Sequence, residues 1–135
     1  PDRYVPSAEQ RMDLYRKIAM IRTEADADDV TDELIDRYGD PPRQVNNLIA
    51  VALMRSRAAE CGITQIEQKG SNLVFSLKSF ELQSVSSLCA SERWKGRVLF
   101  SAGEKAALTL RLKKGEDPLK LSRALVEEYA KLTDN

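Results

Sequence analysis

Histidine is absent from this 135-residue chain, and the absence removes the commonest general base and metal ligand. No Ser-His-Asp or Cys-His arrangement can form, and the remaining Cys, Asp and Glu residues are too scattered to suggest a zinc site. Cysteine is scarce. Cys61 and Cys89 stand far apart in apolar helical settings, which suits two reduced, largely buried thiols better than a disulfide or redox pair. No apolar run approaches the roughly 18 to 20 residues that a membrane span needs, and the N-terminus lacks the basic-then-apolar order of a signal peptide. The expected location is therefore cytoplasmic, without membrane contact. Six glycines are spread singly, so no phosphate-cradling loop followed by Lys and Ser or Thr is present, and a nucleotide-driven motor is excluded from this stretch.

The composition that remains, 42% hydrophobic and 31% charged, is that of a globular domain. Net charge is zero but unevenly placed. Residues 1–62 hold 9 basic and 12 acidic side chains (−3), and residues 63–135 hold 12 and 9 (+3). Neither half has the basic excess expected of a module that grips phosphates, whereas complementary protein surfaces suit the balance.

Periodicity supplies the elements. A first helix starts at Ser7, an N-cap with Gln10 three residues on, and carries Leu14, Tyr15, Ile18 and Ile21 as its apolar stripe. A second, from about Asp26 to Tyr38, has Val30, Leu34, Ile35 and Tyr38 on its apolar side and Asp29, Glu33, Asp36 and Arg37 on the other. Gly39 suits a left-handed residue just past the helix end, and Pro41-Pro42 forbids continuation. A third helix, Arg43 to Cys61, has Val45, Leu48, Ile49 and Ala52 on one face, with Val51, Leu53 and Met54 widening it.

The acidic run from Glu24 to Asp36 resembles no calcium loop. It has no glycine before Gly39, and Asp26, Asp28 and Asp29 suit the positive end of a helix dipole. Beyond Gly62 the period changes. Residues 63–68 and the alternating Leu73, Phe75 and Leu77 read as a hairpin turning at Lys69-Gly70-Ser71-Asn72. A helix from Phe80 to about Trp94 follows, with Leu82, Val85, Ser86 and Cys89 at helical spacing. Val98 and Phe100, then Leu108, Leu110 and Leu112, form a second hairpin. Asp117-Pro118 opens a final helix carrying Leu121, Leu125, Tyr129 and Leu132. The expected class is α+β: three N-terminal helices, then a small antiparallel sheet of two hairpins with an intervening helix and a C-terminal helix packed on it.

Tyr4-Val5-Pro6, the run Arg11 to Ala19, and Glu33-Leu-Ile-Asp-Arg-Tyr-Gly39 with Pro42 and Leu48 resemble the C-terminal domain of bacterial transcription-repair coupling factors. The likeness runs in order through the whole chain and is most specific over residues 4–62. It implies a leader at residues 1–6 and a single C-terminal regulatory domain at 7–135, non-catalytic and without metal or cofactor. In such factors this domain follows a DNA translocase motor. At rest it docks on the UvrB-like N-terminal module of the same chain, masking UvrA recruitment and restraining the motor until stalled RNA polymerase is engaged. UvrA, polymerase and DNA are then met only through the parent protein.

Carried over by residue, the docking surface is Glu33, Asp36 and Arg37, making charge-assisted contacts. Glu33 and Arg37 also stand i, i+4 and could merely pair on a solvated helix face. Asp40-Pro41 departs from the apolar residues the family often has before the proline. Two other classes stay open on the sequence: a nucleic-acid module built on Trp94 with Arg93, Lys95 and Arg97, and an enzyme using an unidentified carboxylate.

Overall fold

The computed structural model describes residues 3–133. Five helices and four strands follow in the order α1 (Ala8–Ala19), α2 (Glu24–Tyr38), α3 (Arg43–Glu60), β1 (Ile63–Lys69), β2 (Asn72–Leu77), α4 (Leu82–Ala90), β3 (Val98–Ser101), β4 (Ala107–Arg111) and α5 (Pro118–Thr133). This is the α+β order read from the sequence. The chain divides into two compact units, with the boundary inside α3 between Ser56 and Arg57.

In the first unit the caps are local. Ser7 Oγ accepts the Gln10 N–H at 3.3 Å and starts α1. Thr23, rather than an aspartate, caps α2: its Oγ1 accepts the Asp26 N–H at 3.1 Å while Asp26 Oδ2 accepts the Thr23 N–H at 3.2 Å. The helix therefore begins two residues before the expected Asp26, and Asp28 and Asp29 lie beyond the first turn where the dipole argument placed them. Gly39 has φ 82° but ψ −168°, so the positive φ is used without the left-handed helical turn; its N–H still closes on the Ile35 carbonyl.

The core of this unit joins Val5, Leu14, Ile18, Ile21, Val30, Leu34, Val45, Ile49 and Leu53. Tyr15, Ile35 and Leu48, expected in the stripes, are instead exposed by more than 40%. Each sits next in sequence to a buried residue (Leu14, Leu34, Ile49) and so lies about 100° round the helix from it. The buried face is narrower than the apolar one. Tyr4 and Val5, read as leader, are held here: Val5 is fully buried and Tyr4 packs on the core. Pro1 and Asp2 lie outside the described residues.

In the second unit all strand pairs are antiparallel and the sheet order is β1-β2-β4-β3, so the two hairpins join through β2 and β4. Alternation puts Leu73, Phe75 and Leu77 of β2 with Leu108 and Leu110 of β4 and Val98 of β3 on the buried face. Helix α4 packs against α5 and β3, and α5 buries Leu121, Leu125, Val126 and Tyr129. Asp117 Oδ1 accepts the Leu119 N–H at 3.0 Å at the start of α5.

Two expectations fail in α4. It ends at Ala90, short of Trp94, and its buried side is Ser84, Val85 and Leu88, with Leu82 and Ser86 exposed and Cys89 half-buried. A nine-residue helix allows two apolar registers, and packing against α5 and β3 decides between them. Neither cysteine is in a disulfide; Cys61 is buried and Cys89 half-buried.

Candidate docking site

Sixteen residues apart in sequence, Lys17 and Glu33 meet across α1 and α2, with Lys17 Nζ 2.5 Å from Glu33 Oε1. The local reason is plain: Leu14 and Ile18 of α1 and Val30 and Leu34 of α2 are buried in one core, which turns the residues flanking those stripes toward each other. Arg37 Nη1 lies 3.9 Å from the same Glu33 oxygen, one turn along α2, and its guanidinium sits 5.5 Å from the Tyr38 ring centroid. Both cations hold the Glu33 carboxyl below the usual glutamate range, the Lys17 hydrogen bond contributing most.

These side chains line a groove of about 560 Å³ between α1 and α2. Its floor is Leu14, Val30 and Leu34, and its walls carry three carboxylates (Glu9, Asp13, Glu33) and three cations (Arg16, Lys17, Arg37). Arg16 Nη1 pairs with Asp13 Oδ1 at 2.9 Å, both side chains more than half exposed. The structure thus brings Glu33 and Arg37 together on the groove and leaves Asp36 off it, exposed and without a hydrogen bond or ion pair among the described residues. Sequence reasoning missed the α1 wall. No short-range pattern signals a pair such as Lys17 and Glu33; only the shared core creates it.

The charge-cluster alternatives fare differently. Among the described residues no group of three or more His, Cys, Asp or Glu side chains could hold a metal ion. Trp94 is fully buried, its Nε1 donates to Glu128 Oε2, and the Arg93 guanidinium covers its ring at 4.9 Å from the centroid. That indole offers no free face on which a base could stack. No described helix is long and apolar enough to cross a membrane.

Five helices and a four-stranded antiparallel sheet, with a mixed-charge groove between α1 and α2, define an α+β architecture. The TRCF domain model matches residues 1–87, and the chain belongs to that family. It is similar to the transcription-repair-coupling factor of Staphylococcus haemolyticus (29% identical over 112 residues, 83% of this chain and 9% of the relative). It is likewise similar to that of Staphylococcus epidermidis (28% over 139 residues, 99% of this chain and 12% of the relative). The chain therefore spans about a tenth of the length of the curated relatives it matches. Among solved structures, the C-terminal domain of a transcription-repair coupling factor superposes with a TM-score of 0.83 at 20% identity, covering 99% of this chain and 87% of that one. The fold is shared. The chain thus carries a TRCF domain over residues 1–87, in a fold it shares with that solved domain.

Proposed function

We propose that residues 7–135, with Tyr4 and Val5 of the expected leader 1–6 packed into their first core, work as one non-catalytic regulatory domain inside a cytoplasmic transcription-repair coupling factor. At rest the domain docks on the UvrB-like module of the same parent, covers the surface that recruits UvrA, and restrains the DNA translocase until stalled RNA polymerase is engaged. One observation carries the reading: Glu33 and Arg37 stand side by side, half-exposed, on an open groove whose charges balance. Such a surface suits a protein partner of mixed charge, where charged groups set specificity and orientation. Asp36, exposed and unpaired among the described residues, is free to meet a cation of that partner.

The test uses the full-length parent, with Glu33→Lys, Asp36→Lys and Arg37→Glu combined, beside a parent lacking the domain. Both are expected to capture UvrA and to hydrolyse ATP faster than wild type. Unchanged behaviour of the deletion would overturn autoinhibition. If only the triple variant behaves as wild type, the three residues are a solvated helix face and docking lies elsewhere.

A further inference from the structure

Glu33 is only half used. Lys17 and Arg37 both approach Oε1, and no hydrogen bond reaches Oε2 among the described residues. Arg37 keeps N–H donors to spare, since its one ion-pair contact among the described residues is at 3.9 Å. On the opposite wall Arg16 and Asp13 form an exposed i, i+3 pair, of the kind that contributes little to stability and exchanges readily for another partner. Donors and acceptors with capacity in hand therefore face the same space from both helices.

The lining narrows what can enter. With three carboxylates against three cations, the groove has no formal charge, so a phosphate chain would gain no net attraction, and a small anion would confront Glu9, Asp13 and Glu33. A small apolar ligand would need convergent apolar walls, yet here the apolar residues are confined to the floor. Alternating charge around an apolar floor is the character of a protein interface with a polar rim.

We propose that the docking site has two walls: Asp13, Arg16 and Lys17 of α1 contact the same protein surface as Glu33 and Arg37 of α2. The partner presents a cationic group to Glu33 Oε2 and a carboxylate placed between Arg16 and Arg37. Lys17 is a positioning residue that fixes the Glu33 carboxylate, while Arg16 touches the partner directly once it leaves Asp13. This inference rests on the docking reading above and adds α1 to it.

Arg16→Glu in the full-length parent is the test, with UvrA capture as the probe, the domain deletion as the fully unmasked reference and Arg55→Glu as a control. Arg55 is an exposed cation of α3 outside the groove. Arg16 is 70% exposed and among the described residues its side chain bonds only to Asp13, so the fold should survive, and a thermal melt of the variant checks that. The expected result is UvrA capture raised on the order of tenfold by Arg16→Glu, approaching the deletion, with Arg55→Glu at the wild-type level. If the deletion unmasks UvrA while Arg16→Glu does not, the α1 wall is refuted and the docking reading survives. If Arg16→Glu and Arg55→Glu unmask equally, the effect is one of bulk charge and the two-wall site is refuted. A deletion that unmasks nothing overturns the docking reading and this inference together.

Discussion

Tyr4 donates its hydroxyl to the Gly39 carbonyl at 2.6 Å, tying the start of the described chain to the end of α2. The Leu34 carbonyl accepts from the same hydroxyl at 3.3 Å, the Tyr4 and Tyr38 rings lie 5.6 Å apart, and Arg11 Nη1 holds the Val5 and Pro6 carbonyls at 2.9 and 2.8 Å. Tyr4 is thereby strapped to the helix that carries Glu33 and Arg37, and Val5 and Pro6 to α1. Burial pushes the Tyr4 phenol above its ordinary value, so it stays protonated and donating at neutral pH. We expect Tyr4→Phe to keep the ring packing and lose about 0.5–1.5 kcal/mol of stability, measured by urea unfolding. No loss would mean that water replaces the phenol at no cost.

The Lys17–Glu33 pair has an acid limit. Because the folded-state pKa of Glu33 lies below the ordinary 4.5, the pair contributes stability that is fully present above that value. It is lost as pH falls through the lower folded value. Both side chains are over 40% exposed, so its worth is that of a surface pair, about 0.2–1 kcal/mol. A double-mutant cycle of Lys17→Met and Glu33→Gln should therefore show coupling at pH 7 that declines as pH is lowered past the ordinary glutamate range. Coupling that stays constant down the whole acid limb, until the protein unfolds, would contradict the assignment.

What the sequence disclosed and what it concealed divide by range. Ser7, Asp117-Pro118 and the Gly70-Ser71 turn act on neighbours within a few residues, and each stands where the pattern put it. Spacing also identified the helices and both hairpins. It could not give the width of a buried face, so Tyr15 and Ile35 read as core and are exposed, and it left the register of α4 open. At the candidate site the motif residues Glu33 and Arg37 were legible. Arg16 matched the family pattern without being placed at the site, and Lys17 was not legible, because their place beside α2 depends on how Leu14 and Ile18 meet Val30 and Leu34.

Two glycines with similar φ should respond unequally to substitution. Gly39 (φ 82°) and Gly62 (φ 86°) both need a positive φ, which costs an alanine about 1–3 kcal/mol. A Cβ on Gly39 would meet open space, whereas on Gly62 it would lie 2.7 Å from the Ser79 carbonyl oxygen. The Gly62 carbonyl also accepts the Lys78 N–H at 2.8 Å, so the chain there cannot easily retreat. Gly39→Ala should fold with a modest drop in melting temperature, and Gly62→Ala should be clearly the worse of the two. Equal melting temperatures would show that the loop around Ser79 yields.

The single tryptophan makes the second unit observable by itself. Trp94 is fully buried next to the first strand of the second hairpin, with Glu128 of α5 on its Nε1 and Arg93 over its ring. Its emission should be blue-shifted in the native protein and move red when the second unit unfolds, and added single-stranded DNA should leave it unchanged. Quenching by DNA at low salt would instead revive the nucleic-acid reading. Glu128→Ala would strand a buried indole N–H at a cost of about 1–3 kcal/mol. Truncating the ring itself in Trp94→Ala should cost more, about 3–5 kcal/mol, because a large cavity opens where α5 and the loop before β3 meet. If instead Glu128→Ala costs nothing while Trp94→Ala is severe, the ring's packing alone holds this corner.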